Sequence, residues 1–287
     1  MAGSVSTTSE PGTAPAPAPR IVVGVDIGGS GIKVGAVDVA TGQLVGTRLR
    51  VATPEPSSPD AVIKATAKLV ARVESSEAIK ATGVHGPFTV GVGIPAVIVD
   101  GITRSAANID HGWLDYPAEL EFSRVLGRGT TIVNDADAAG VAEMRFGAGA
   151  GKPGVVITLT LGTGVGSGMF VDGVLVPNTE LGHMEIRGKD AEKRSAANAR
   201  VRRGLSWKAW AADLDEHLSA IDKLFSPRLL ILGGGVSKNA DKFLPYLTVR
   251  VPIVPAQLRN DAGIVGAALV AAGRVPGLDA AAGSGSE

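Results

Sequence analysis

Two glycine-rich segments, each directly after a short apolar run, constrain this chain more than any other feature. The first is Asp26-Ile-Gly-Gly-Ser-Gly-Ile-Lys33, preceded by Ile21–Val25. The second is Leu161-Gly-Thr-Gly-Val-Gly-Ser-Gly168, at the end of Val155–Leu161. An apolar run of this length that meets glycine reads as a buried strand entering a tight turn. Glycine has no Cβ, so successive backbone N–H groups in such a turn can converge on phosphate oxygens. Gly28, Gly29, Ser30 and Gly31 form one candidate phosphate turn. Gly162, Gly164, Gly166 and Gly168 form the other, and Thr160 and Thr163 add hydroxyl donors. Either turn alone is an ordinary hairpin. Two of them, one carrying Asp26 and Lys33, predict a clamp on a phosphate chain. A carboxylate at Asp26 would repel a bare phosphate, so it is read as linked to Mg²⁺. Lys33 is read as neutralising phosphate charge.

The commoner glycine motifs do not fit. Gly162-x-Gly164-x-Gly166 lacks the spacing of the dinucleotide fingerprint, and Gly151-Lys152 runs into Pro153 where a phosphate-loop NTPase needs Ser or Thr.

Along the chain, Ile21–Val25, Gly35–Val39 and Leu44–Arg50 read as strands, with a turn at Asp38–Gly42. Asp60–Val73 has helical spacing after Pro59. Thr89–Ile94 is a strand ending at Pro95, Pro117–Val125 a helix, Thr130–Val133 a strand and Ala136–Phe146 a helix. Val155–Leu161 and Gly168–Val176 bracket the second glycine turn. Ala191–Arg202 and Ser206–Phe225 read as helices, Leu229–Leu232 as a strand entering Gly233-Gly234-Gly235, and Ala262–Ala272 as a last helix. Strands alternating with helices define an α/β protein. The two strand–glycine units hint at a duplicated core, although the halves share little sequence beyond the turns.

Between the turns lies Asn134-Asp135, after one apolar run and before a helix. Alone, Asp135 would be a helix N-cap. Beside a phosphate clamp it is the candidate general base for a substrate hydroxyl. Glu180-Leu-Gly-His183 supplies a carboxylate and an imidazole suited to paired hydroxyl groups, and Asn108 is a further polar candidate. Taken singly, His183 and Asn108 are equally a structural residue and a turn residue.

Composition narrows the class. Lys plus Arg and Asp plus Glu both number 28, so bulk charge makes no case for nucleic acid or membrane partners. No apolar run reaches the ~18 residues of a membrane span. The chain has no cysteine. Disulfides and cysteine-held zinc are therefore excluded, and a reducing, cytoplasmic setting is expected. Residues 1–20 lack the basic start and apolar core of a signal peptide and read, like 277–287, as a disordered tail.

Taken in order, Asp26-x-Gly-Gly-x-x-x-Lys33, Gly93-Ile-Pro95, Asn134-Asp135, Leu161-Gly-Thr-Gly-Val-Gly166, Glu180-Leu-Gly-His183 and Leu232-Gly-Gly-Gly-Val236 resemble the ROK sugar kinases of the actin-like ATPase superfamily. The resemblance spans about residues 21–272. It implies the actin-like (ribonuclease H-like) fold, with an N-terminal domain over 21–133 joined by helix 262–272, a C-terminal domain over 134–261, and a sugar cleft between them. It also implies that Asp135 is the base acting on the sugar 6-hydroxyl. Asn108, Asn134, Glu180 and His183 would be sugar ligands, and Glu192 a further one. Gly233, Gly234 and Gly235 would form the turn beside the adenosine of a nucleotide. Homodimers are common in the family, and a monomer is compatible with the sequence.

Most ROK kinases carry a cysteine-rich zinc motif after the histidine. Here Met184-Glu-Ile-Arg-Gly-Lys-Asp-Ala-Glu-Lys-Arg194 stands instead, so no zinc is expected. That stretch, with Leu205-Ser-Trp207, is similar to the cysteine-free actinobacterial polyphosphate glucokinases and glucomannokinases. It also begins a basic stripe: seven Lys or Arg between Arg187 and Arg203, against Asp190 and Glu192. Lys193, Arg194 and Arg200 are expected to form a lane for polyphosphate; the plainer reading is a solvated helix face. The resulting expectation is a polyphosphate- or ATP-dependent glucokinase, with mannose as a second substrate. The alternatives are a strictly ATP-dependent hexose or amino-sugar kinase, a sugar-responsive repressor, and a non-catalytic sugar-binding module. The short stretch before Ile21 argues against the repressor, and the retained turns and Asp135 against the binding module.

Overall fold

The computed structural model describes residues 20–106 and 109–273. The expected tails over 1–19 and 277–287, and Asn108, lie outside them. The described chain builds two five-stranded sheets with helices packed between and around them. The first sheet contains β1 (Ile21–Gly28), β2 (Gly31–Asp38) and β3 (Gln43–Val51). After α1 (Pro59–Glu74) and α2 (Glu77–Ala81) come β4 (Val90–Ile94), α3 (Ala118–Leu126) and β5 (Thr130–Asn134). From β5 the chain passes straight into α4 (Asp135–Phe146). The second sheet contains β6 (Val155–Leu161), β7 (Val165–Val171) and β8 (Val174–Val176). Then follow α5 (Glu192–Ser195), α6 (Ala197–Arg202), α7 (Trp207–Phe225), β9 (Leu229–Gly233), β10 (Ile253–Pro255) and α8 (Ala262–Ala271).

Both sheets have the same plan. The first runs β3-β2-β1-β4-β5 and the second β8-β7-β6-β9-β10. In each, three consecutive antiparallel strands are extended by two parallel ones. In each, the helix after the fifth strand leads to the neighbouring half. The duplication that the sequence only hints at is thus present in strand order and direction.

Helices α4 and α8 cross at the centre. α8 (Ala-Gly-Ile-Val-Gly-Ala-Ala-Leu-Val-Ala) is apolar all round and almost wholly buried, as a helix enclosed on every side must be. Its close packing needs glycine. A Cβ at Gly266 would overlap the Ala138 carbonyl of α4. Cβ atoms at Gly24 and Gly91 would overlap the Ile264 and Ala267 carbonyls of α8. A Cβ at Gly140 of α4 would come within 2.7 Å of the Thr158 hydroxyl and 2.8 Å of the Phe170 ring of the second sheet. Val22, Val141, Phe170, Ile231, Ile264 and Leu269 belong to the core between the layers, and each sheet has a further core on its outer side.

Three expectations are corrected. Gly166 and Gly168 belong to strand β7, not to the turn. They are glycine because β7 passes against Ala136 at the start of α4: a Cβ at Gly166 would lie 2.7 Å from the Ala136 Cβ. The turn proper is Gly162-Thr163-Gly164. The helix expected over 191–202 is two, broken where Ala196 turns extended (φ −61°, ψ 149°). Arg20, assigned to the tail, bonds the Ala272 carbonyl at 3.1 Å. Strand β10 and helix α2 were not expected, since β10 is three residues ending in proline and α2 is a single short turn.

Gly266→Ala and Gly91→Ala are each expected to cost about 3 kcal/mol or more, because the overlapping atoms are backbone. Gly129→Ala, where a Cβ would meet nothing within 4 Å, should stay within about 0.5 kcal/mol. Urea unfolding of the three variants makes the comparison, and equal midpoints would contradict the close crossing.

Candidate active site

A cleft of about 520 Å³ opens where the two halves meet. Its first wall is the β1–β2 hairpin, in which Gly28 pairs with Gly31 across the two-residue turn Gly29-Ser30. The turn is braced from outside: Arg50 donates to the Ser30 carbonyl at 2.8 Å and Thr53 to the Gly28 carbonyl at 2.5 Å. The opposite wall is the β6–β7 turn, closed by Gly162 N–H donating to the Gly164 carbonyl at 3.0 Å. A Cβ at Gly162 or Gly235 would meet no protein atom within 4 Å. Their bare backbone therefore leaves space that a ligand can enter. Gly233 pairs with Thr160, so the Gly233–Gly235 turn stands beside the second glycine turn. Gly234 has φ +81°, and a Cβ there would strike the Leu161 backbone.

Asp26 and Lys33 face each other across the hairpin with an ion pair of 2.6 Å. Lys33 therefore neutralises Asp26 first, which the sequence reading did not foresee. Asn134, not Asp135, caps α4: its Oδ1 accepts from the N–H groups of Ala136 (2.9 Å) and Asp137 (3.0 Å). Asn134 Nδ2 donates to the Ala96 carbonyl at 3.1 Å and lies 3.5 Å from Glu180 Oε1. With the cap supplied by its neighbour, the Asp135 carboxyl is left facing the cleft. Burial raises its pKa to about 7, helped by the negative charges of Asp26 and Glu180 and opposed by the N–H of Ala136. Burial likewise raises Glu180, and His183 partly offsets this.

His183 sits with Nε2 3.8 Å from Glu180 and Nδ1 3.5 Å from Asp190. Glu192 is 8% exposed, and its Oε2 accepts from Val165 N–H at 3.0 Å. It thus ties α5 to the second glycine turn. His183, Asp190 and Glu192 present ligand atoms within 4.8 Å of one another, a nitrogen-and-oxygen set that the cysteine argument against zinc does not address. Val165 N–H and Lys193, 3.6 Å from Glu192 Oε1, already partner Glu192 there.

Asp26, Lys33, Asn134, Asp135, Glu180, His183 and Glu192 therefore line one cleft, with both glycine turns, Thr160 and Thr163. The basic lane is different. Lys193 and Arg194 line a separate groove, but Arg200 does not. Arg200 stacks on Trp207, its guanidinium carbon 3.9 Å from the ring centre, and donates to the Leu205 carbonyl at 3.1 Å.

Sequence reading missed a supporting layer. Asp137 is 1% exposed; its Oδ2 accepts from Asn178 N–H at 2.8 Å and its Oδ1 has no partner among the described residues. Asn178 in turn exchanges two bonds with the Ile98 backbone, at 2.7 and 2.8 Å. This ties the loop leading to Glu180 to the first half of the chain. Buried His217 holds that loop too, with Nε2 3.0 Å from the Leu181 carbonyl and Nδ1 2.9 Å from Ser195 Oγ. The Asp135-x-Asp137 doublet at a helix start, and a histidine within the apolar spacing of α7, were the available signals.

Two like-ordered sheets facing across such a cleft define the actin-like ATPase fold, an α/β architecture of two domains. Within that class, the chain belongs to the ROK family, whose sequence model matches residues 22–199. It is 46% identical over 247 residues to a polyphosphate glucokinase of Mycobacterium tuberculosis (strain CDC 1551 / Oshkosh), covering 86% of this chain and 89% of the relative. Among solved structures it resembles an inorganic polyphosphate/ATP-glucomannokinase from Arthrobacter sp. strain KM, at 50% identity and TM-score 0.83, covering 88% of this chain and 98% of the other. It also resembles a ROK family glucokinase from Streptomyces griseus in complex with glucose and AMPPNP, at 26% identity and TM-score 0.72, with 88% and 99% covered. Among the described residues, no helix is long and apolar enough to cross a membrane.

Asp137 gives a stability test. Burial raises its pKa from 3.8 to about 7. The folded state therefore holds the proton more tightly, and that contribution is complete below about pH 4 and lost as pH rises through about 7. Asp137→Asn keeps an acceptor for Asn178 and cannot ionise. Relative to wild type it should gain more than about 1 kcal/mol between pH 5 and pH 8. Denaturant unfolding at the two pH values measures this; a pH-independent difference would contradict the buried ionisation.

Proposed function

We propose that this chain is a glucokinase that transfers a phosphoryl group to the 6-hydroxyl of glucose. Its donor is inorganic polyphosphate, ATP or both, and mannose is a second acceptor. The observation that carries this reading is Asp135. Its carboxyl is released from capping and poised near neutrality between a polar set suited to sugar hydroxyls and two glycine turns. The mycobacterial and Arthrobacter relatives support the donor and the acceptor.

Asn134, Glu180, His183 and Glu192, with Asn108 as the further family ligand, hold the sugar. As the 6-hydroxyl oxygen attacks the terminal phosphorus, its proton passes to Asp135 and the bond from phosphorus to the bridging oxygen breaks. The leaving group is ADP or a polyphosphate shortened by one unit. The glycine turns and the N-termini of α4 and α8 favour the phosphate charge. Asp26, Asp135 and Glu180 line the same cleft, and Asp26, already paired with Lys33, is the carboxylate beside the first glycine turn. Mg²⁺ beside Asp26 would neutralise the charge of the transferred group. Closure of the halves over the sugar excludes water, the competing acceptor. On this reading the enzyme is cytoplasmic and works as a monomer or homodimer, without nucleic acid or membrane partners.

The test is hexose 6-phosphate formation from glucose and mannose, each with ATP and with polyphosphate. Product in none of the four mixtures would reject the reading. Asp135→Asn should lower kcat at least about 100-fold while leaving glucose binding within a few-fold. Because the base acts deprotonated, kcat/KM of the wild type should fall as pH drops below about 7. A flat profile from pH 5.5 to 8 would argue against Asp135 as the base.

A further inference from the structure

The segment that begins at Pro95 is part of the cleft wall on the first half. Pro95, Ala96 and Val97 line the cavity, as does Ser105. Side chains hold this segment. Asn134 Nδ2 donates to the Ala96 carbonyl at 3.1 Å, and Val97 N–H donates to Ser105 Oγ at 2.9 Å. The next residue, Ile98, starts a small hairpin in which it pairs with Thr103. Both backbone polar groups of Ile98 go to one side chain from the second half. Asn178 Nδ2 donates to the Ile98 carbonyl at 2.7 Å, and Ile98 N–H donates to Asn178 Oδ1 at 2.8 Å. A side-chain amide carries a donor and an acceptor side by side. It therefore pairs with Ile98 as a residue of a neighbouring strand would.

Few residue types can do this at position 178. Its φ is +59°, left-handed backbone that asparagine and glycine tolerate and most others do not. Its own N–H donates to Asp137 Oδ2 at 2.8 Å, so α4 fixes the backbone from which the side chain reaches across. Two residues on is Glu180. The Thr179 carbonyl accepts from Ser167 Oγ, and Leu181 N–H donates to the same hydroxyl at 3.0 Å. Glu180 thus stands on a short segment anchored at 178 to the first half and at 179 and 181 to β7. We infer that Asn178 is a positioning residue for the sugar acceptor: by joining Ile98 to the Glu180 segment, it fixes the spacing of the two cleft walls where the sugar ligands stand. The inference rests on the sugar kinase reading and adds to it a residue outside the cleft lining. Without the brace, Glu180 is free to move away from Asn134, and acceptor binding weakens. Asp135 and the glycine turns are held by other contacts, so the chemical step and the donor site are spared.

The test is Asn178→Gly in the full chain, compared with Asn178→Asp. Glycine keeps the left-handed backbone and the N–H to Asp137 but removes both bonds to Ile98. Aspartate keeps an acceptor for Ile98 N–H and sets a carboxylate against the Ile98 carbonyl. In Asn178→Gly the glucose Kd by calorimetry and the glucose KM should both rise at least about tenfold, while kcat stays within about threefold and the donor KM, with ATP and with polyphosphate, within about twofold. Hydrogen exchange at the Ile98 amide should quicken in Asn178→Gly and stay slow in Asn178→Asp. Unchanged glucose affinity, or an equal loss of glucose and donor affinity, would overturn the positioning role. Should Asn178→Gly fail to fold, Asn178→Asp carries the test: its glucose KM should rise at least about threefold with the donor KM unmoved, and no rise would overturn the role. If wild type binds glucose but forms no hexose 6-phosphate, while Asn178→Gly weakens that binding, the kinase reading fails and the brace stands.

Discussion

Everything in this structure depends on how closely α4 and α8 cross. The contact between Gly266 and the Ala138 carbonyl leaves no room for a methyl group. Two more glycines, Gly24 and Gly91, let α8 lie directly on the first sheet. Such contacts fix separation far more sharply than interdigitated long side chains, which can repack. The same crossing sets the cleft. It presents the first turn of α4, with Asp135, and the first turn of α8, with Ala262 and Gly263, to one cavity. Asp26 lies so near α8 that a Cβ at Gly263 would come within 2.8 Å of its carboxyl carbon. The position of the floor is thus set by backbone packing.

The electrostatics follow from that placement. Asp26 and Glu180 act on Asp135 from the two halves, and burial removes the solvent that would otherwise stabilise its charge. Lys33, which lines the same cleft, is held by Asp26. A carboxyl in such surroundings keeps its proton to near neutrality, so a small change in the charge around it changes its protonation state. Asp137, two residues on, feels the same burial yet faces away from the cleft lining, and its hydrogen bond serves the loop that carries Glu180.

Much of this was legible in the sequence, for identifiable reasons. Buried strands announce themselves as apolar runs, as β1, β4, β5, β6 and β9 all do, and glycine marks the turns after β1, β6 and β9. The cleft residues were legible because short polar motifs interrupt those runs. The sequence does not distinguish glycine needed for a turn from glycine needed for contact, which is why Gly166 and Gly168 were placed in the turn. It does not show which of two adjacent residues caps a helix, so the cap at Asn134 emerged only with the fold. Charge counting grouped Arg200 with Lys193, whereas the aromatic face of Trp207 draws its guanidinium elsewhere. Asp137, Asn178 and His217 went unseen because their partners are 41, 80 and 36 residues away.

The shared strand order of the two sheets has one more consequence. The third pair back from the first turn is Asp26 with Lys33; the third pair back from the second is Leu159 with Ser167. A repeated scaffold therefore carries unrepeated chemistry, with ionic groups on one hairpin and neutral ones on the other. That difference gives the cleft a direction. A molecule with two unlike ends meets two unlike walls, although the backbones that hold them follow one plan.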